Sequence, residues 1–162
     1  GSTIDAYRTV ARRTNGAVPE RFEHISADEI GTRSFSSLVI DFRAADFVGR
    51  LPDGHFFLLI GPDGTSRYLI RAESGRVRVY DPGPAVRPKD VAEDGYPLLF
   101  ESSAPEDTVM VTVERSDRPP FVRETAGTIR IPFPDRGFYT VFVGVLSDDA
   151  PEVDIFLSSV PR

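Results

Sequence analysis

Apolar and polar positions alternate along much of the chain with a period of two, as half-buried β-strands require. The clearest stretch runs from Gly127 to Gly144, where Ile129, Ile131 and Phe133 alternate with Thr128, Arg130 and Pro132. Pro134 has no N–H to offer a ladder and closes that strand. Phe138 to Val145 then places Tyr139, Val141, Val143 and Val145 on one face and Phe138, Thr140, Phe142 and Gly144 on the other. Both faces are largely apolar, which predicts a central strand.

The same pattern predicts strands elsewhere. Ser34 to Phe42 carries Phe35, Leu38, Ile40 and Phe42, with Val39 blurring its face, and Arg43 to Gly54 reads as connection. Residues 56 to 60 are five apolar residues in a row, as in a strand covered on both sides. Across Gly61-Pro62-Asp63-Gly64 this strand is expected to pair with Ser66 to Arg71, which pairs in turn with Arg76 to Tyr80, a three-strand meander. A four-residue loop, Ala72-Glu73-Ser74-Gly75, sets Ile70 by Val77 and Tyr68 by Val79. That register gathers Arg67, Arg71, Arg76 and Arg78 on one face with Leu69 and Tyr80. Pro82, Pro84 and Pro88 mark 81 to 95 as a long loop crossing between sheets. Leu98 to Glu101, Thr108 to Glu114 and Val153 to Leu157 complete the strands, with an acidic turn at Ser147 to Glu152.

The first residues follow a different period. Ile4, Tyr7, Val10 and Ala11 recur at spacings of three and four behind Thr3 as N-cap, with Arg12 and Arg13 at the cationic end of a short amphipathic helix. Ser26-Ala27-Asp28-Glu29 has capping-box spacing for one more turn. Residues 1 to 33 therefore read as a partly helical lead-in, and 34 to 162 as a single β-sandwich domain.

The corner Asp135-Arg136-Gly137-Phe138-Tyr139-Thr140-Val141 resembles the D-x-G-x-Y-x-C tyrosine corner of immunoglobulin-like sandwiches, with Val141 where those domains often carry a cysteine. In such a corner the Tyr hydroxyl bonds back to the preceding turn. The strand Gly137 to Val143 is also similar to one near the end of bacterial pre-peptidase C-terminal sandwiches, which place an apolar strand and D-G turn earlier, here residues 56 to 60 before Asp63-Gly64. Both resemblances imply sandwich architecture and carry over no function.

At 162 residues and 40% hydrophobic content, one core without staples is the expectation. Zero cysteines exclude a disulfide scaffold, thiol catalysis and the usual zinc clusters. A net charge of −6 argues against a surface built throughout for nucleic acid. No stretch approaches the length of apolar residues that a membrane helix needs.

Candidate chemistry is sparse. The face of Arg67, Arg71, Arg76, Arg78 and Tyr80 is the sharpest feature, because guanidinium forks pair bidentately with carboxylates and phosphates, although alternating Arg also keeps one side of a strand in water. Asp148, Asp149, Glu152 and Asp154 offer hard oxygens in a spacing that matches no EF-hand, so they read as a solvated turn and no metal is assigned. His24 and His55 are the only histidines, and no G-x-S-x-G, H-E-x-x-H or Walker loop is present. No catalytic residue and no cofactor is assigned.

Together these features predict an all-β, antiparallel Greek-key or jelly-roll-like β-sandwich of about seven to nine strands with a short N-terminal helix. The expected function is a non-catalytic protein-interaction or accessory module, binding an acidic partner through the arginine-rich face. The alternatives are a small-ligand or lipid-binding β domain using the space between sheets, and a hydrolase with a site near His55.

Overall fold

The computed structural model describes residues 21–24, 35–43, 45–102, 108–113, 122–125, 127–133, 137–147 and 157–161. Among them the chain is mostly β, with no α-helix and a single 3-10 turn at Pro88–Asp90. The helix predicted at 3 to 13 and the turn at 26 to 29 lie outside the described residues.

Seven strands form the first sheet: β1 (Arg21–His24), β2 (Phe35–Asp41), β4 (His55–Ile60), β5 (Ser66–Glu73), β6 (Arg76–Tyr80), β7 (Leu98–Ser102) and β11 (Phe138–Val145). Their order is β1-β2-β11-β4-β5-β6-β7, with every neighbouring pair antiparallel. The second sheet holds β3 (Ala45–Arg50), β8 (Thr108–Val113), β9 (Arg123–Thr125), β10 (Thr128–Phe133) and β12 (Leu157–Pro161), in the order β12-β3-β8-β10-β9.

The strand expected to be central is so: β11 lies between β2 and β4, with Val141 opposite Leu38 on one side and Leu59 on the other. Several expectations need correcting. Twelve strands stand among the described residues where about seven to nine were expected. β1 begins the first sheet within the stretch taken as a lead-in, and β3 occupies part of the supposed connection 43 to 54. Leu157–Pro161 is strand, while residues 153 to 156 of the closing strand expected at Val153 to Leu157 lie outside the described residues. The second sheet is also not wholly antiparallel, since β8 and β10 run parallel, Ile129 opposite Val109 and Ile131 opposite Val111.

Burial explains the composition of the strands. One apolar cluster takes Phe57 and Leu59 from β4, Ile70 and Ala72 from β5, Val77 and Val79 from β6, and Tyr139, Val141, Val143 and Val145 from β11. Ile129 and Ile131 of β10 enter the same cluster from the second sheet. The Tyr68 hydroxyl adds a polar tie, donating to the carbonyl of Pro132 at 2.6 Å. Among the described residues β9 pairs with β10 no further than Arg130, so Pro132 lies past the end of that ladder.

A second cluster covers the opposite face of the first sheet. Phe35, Phe56, Leu58, Ile60, Leu69 and Tyr80 pack under Val86 and Val91 of the 81–97 loop. Every side chain of β4 is consequently buried, which is why residues 56 to 60 carry no polar alternation. At the corner before β11, Tyr139 is fully buried and meets Phe42 edge-on, with ring centroids 5.1 Å apart. The Phe42 N–H donates to the Gly137 carbonyl at 2.9 Å, while Asp135 and Arg136 lie outside the described residues.

Phe57 is fully buried in the first cluster, so Phe57→Ala removes a whole ring from a packed site. The expected loss is about 3 to 5 kcal/mol of unfolding free energy. It is read as a lower urea midpoint at unchanged slope.

Candidate functional site

The arginine face is built by the β5–β6 hairpin, and its geometry follows from the turn. Ser74 and Gly75 have φ of 52° and 75°, the left-handed pair that joins strands through a two-residue turn whose twist matches theirs. Glu73 then sits opposite Arg76, Arg71 opposite Arg78 and Leu69 opposite Tyr80. Ile70 therefore faces Val79, where the four-residue loop expected from sequence had set it by Val77. The displacement is two residues, an even number, so the division into faces is unchanged. Arg71, Arg76, Arg78 and Tyr80 lie on the side away from the first cluster, while Arg67 stands at the irregularity where β4 and β5 shift register.

Within that face Arg71 stands apart, because it is buried at 5% exposure. Nη1 donates to the carbonyls of Val91 at 3.0 Å and Glu93 at 2.7 Å, and Nη2 donates to the Tyr80 hydroxyl at 3.1 Å. Nε lies 2.7 Å from Glu73 Oε1 but out of line for a hydrogen bond, so that contact is ionic. The guanidinium carbon sits 4.4 Å from the centroid of the Tyr80 ring. A cation taken from water needs compensation of this kind. Here the compensation comes from the 81–97 loop, which Arg71 holds against the sheet.

Ser66 performs the matching task at the other end of β5. Its hydroxyl donates to the Gly83 carbonyl and accepts from the Val86 N–H at 2.9 Å, while its own N–H donates to the Pro84 carbonyl at 3.1 Å. Between these anchors the loop secures itself: the Tyr96 hydroxyl donates to the Asp90 carbonyl at 2.8 Å, and Asp90 Oδ2 accepts from the Arg87 N–H at 3.0 Å. Burial raises the pKa of Tyr96. The loop that the prolines predicted was expected to cross between sheets; it instead joins β6 to its neighbour β7 and lies back on the same sheet as its cover.

Arg76 and Arg78 remain at the surface. Arg76 Nη1 donates to Glu101 Oε1 at 2.6 Å and Arg78 Nε to Glu101 Oε2 at 2.8 Å, so one carboxylate of β7 serves two guanidinium groups. Hydrogen bonds from Arg78 and then Arg76 hold the Glu101 carboxyl below its ordinary pKa, and the bond to Glu101 raises Arg78. Arg67 is at the far end, 3.2 Å from Asp63, whose own pKa is lowered chiefly by the Thr65 hydroxyl and N–H. The five residues therefore do not form one site: Arg71 and Tyr80 lie under the loop, Arg76 and Arg78 lie in the open beside β7, and Arg67 stands apart at the β4–β5 irregularity.

Sequence reasoning missed the neighbours of that open part. Leu98 and Leu99 are 50% and 48% exposed, and β7 is a terminal strand of the sheet, paired only to β6 among the described residues. Two adjacent leucines in a strand one residue from Glu101 were the available signal.

His55 is fully buried at the start of β4. Its Nδ1 lies 3.0 Å from the Asp53 carbonyl, whereas the Asp53 carboxylate accepts from the Gly75 N–H at 3.2 Å. The imidazole thus meets Asp53 through the main chain, an arrangement suited to holding a turn. Desolvation lowers its pKa, with the carbonyls of Asp53 and Pro52 opposing in part. No group of three or more metal-ligating side chains assembles among the described residues, and Asp148, Asp149, Glu152 and Asp154 lie outside them.

Compared with known proteins, the chain matches no family model, no curated protein and no solved structure.

Replacing Arg71 by methionine keeps an unbranched apolar stem and removes the guanidinium, leaving two loop carbonyls without their donor and Glu73 without its counter-charge. Arg71→Met is expected to destabilise the fold by about 3 kcal/mol and to open the loop to cleavage at Lys89 in limited proteolysis. For His55, the unfolded chain binds a proton near pH 6.5 and the folded chain only at lower pH. The unfolded state therefore holds more protons in that window, so stability is complete above 6.5 and falls as pH drops toward the lowered folded value. His55→Gln should flatten that slope in urea titrations taken across the window.

Proposed function

We propose that this chain is a non-catalytic interaction or accessory module that engages an acidic partner through the open part of its arginine face, Arg76 and Arg78. One observation carries this function: among the described residues, three guanidinium groups on that face, Arg71, Arg76 and Arg78, pair with two carboxylates, Glu73 and Glu101. The excess positive charge sits at the exposed end, in a chain whose net charge is −6. A local field opposed to the overall one favours and orients an acidic partner. Arg76 is 49% exposed and Arg78 26%, so both are within reach of a second carboxylate.

We take the two sheets as the layers of a sandwich with Greek-key connections, of the immunoglobulin-like or pre-peptidase C-terminal-like kind. Support comes from the apolar cluster that draws on β4, β5, β6 and β11 of one sheet and β10 of the other, and from the return of β11 to lie between β2 and β4. A sandwich of this sort offers its outer faces and edges to partners, which suits an accessory role.

Affinity capture with the wild-type chain and with Arg76→Glu/Arg78→Glu, both confirmed folded by circular dichroism, tests the assignment. Captured acidic proteins are expected to be lost with the double variant and weakened by added salt. The same set captured by both would remove this face as the interface.

A further inference from the structure

Resting on the acidic-partner reading above, we infer that Glu101 holds the place that the partner's carboxylates take, so that binding is an exchange at Arg76 and Arg78 which Glu101 restrains. The restraint is built by register. Arg78 lies directly opposite Glu101 in the pairing of β6 with β7, and Arg76 stands two residues back along β6 on the same face. One carboxylate therefore meets both: Oε1 accepts from Arg76 Nη1 at 2.6 Å and Oε2 from Arg78 Nε at 2.8 Å.

Each guanidinium gives Glu101 a single bond, although its fork meets a carboxylate best through two parallel ones. Among the described residues neither Arg76 nor Arg78 has a further hydrogen-bond or ion-pair partner. Glu73 stands opposite Arg76 in the hairpin, but its carboxylate lies 2.7 Å from Arg71 Nε. Glu101 thus touches both forks and fills neither. Its side chain is 32% exposed, so it can turn out to water without disturbing the core.

The same arrangement selects the partner. Exposed ion pairs are individually weak, but a tethered carboxylate competes at an effective concentration on the order of millimolar. A lone carboxylate from solution is at a disadvantage against it. Two neighbouring carboxylates on one partner are not, since each can take one guanidinium through a complete fork, and paired bonds then replace single ones. Charge agrees: with Glu101 turned out to water, two guanidinium groups face two carboxylates. Clustered acidic residues are therefore preferred over scattered ones.

The probe is a fluorescently labelled hexaglutamate peptide, titrated with the full chain at low salt and followed by anisotropy, each variant being confirmed folded by circular dichroism. Arg76→Gln/Arg78→Gln is expected to weaken binding roughly tenfold, and Glu101→Gln to tighten it roughly tenfold. Loss of a negative charge nearby would also tighten binding through the field alone. The deciding variant is therefore Glu101→Asp, which keeps the charge but, one methylene shorter, does not span both guanidinium groups. Exchange expects it to bind roughly threefold tighter than the wild type. Unchanged affinity in Glu101→Asp marks Glu101 as a charge acting at a distance, and weaker affinity marks it as a positioning residue that holds the guanidinium groups for the partner. Either result overturns the exchange and leaves the acidic-partner assignment standing. Binding to none of these chains, or binding that Arg76→Gln/Arg78→Gln leaves intact, overturns both.

Discussion

Burying the guanidinium of Arg71 is tolerable only while protein partners replace the water it gives up, and half of those partners sit on one loop. The carbonyls of Val91 and Glu93 reach it from above, the Tyr80 hydroxyl from the neighbouring strand, and Glu73 along its own strand. The dependence is mutual. Without the loop the cation would have to return to water; without the cation, Val86 and Val91 would lose the polar tie that keeps them on Phe56, Leu58 and Leu69. With Ser66 at the other end, β5 carries two fasteners and the loop becomes a lid that stays shut.

That lid divides the outer face of the first sheet. Beneath it lie Leu69, Arg71 and Tyr80, unreachable from outside; beyond it lie Arg76, Arg78, Glu101 and the leucines of β7. The two halves use the same residue type for opposite ends. Arg71 is desolvated and spends its donors on the protein's own backbone, whereas Arg76 and Arg78 share one solvated carboxylate that another can replace at little cost. An interface in the open half needs no rearrangement of the closed half.

Much of this was legible in the residues. The apolar run 56 to 60 announced a strand covered twice, and the two apolar faces of 138 to 145 announced a strand with neighbours on both sides. The meander and its segregated faces followed from alternation, even though Ser74-Gly75 closed the hairpin in two residues, because faces survive a shift by an even number. Other elements carried too little signal. Ala45 to Arg50 mixes Asp46, Gly49 and Arg50 with Phe47 and Val48, so β3 has no clean period, and β9 is only three residues long. The burial of Arg71 was hidden because an arginine on one face with Arg67, Arg76 and Arg78 reads as solvated. Leu69 and Tyr80 on the same face were the clue that something covers it.

The placement of β11 between β2 and β4 reaches beyond the finished structure. β4 to β7 can zip together from hairpins whose partners are close in sequence, but β2 and β4 join one sheet only through residues 138 to 145. Closing that gap means pairing segments nearly a hundred positions apart, so the step that completes the sheet is also the slowest to search for. On the ribosome, both strands wait with bare apolar edges until residues 138 to 145 have emerged, and molecular chaperones have their longest opportunity to act in that interval.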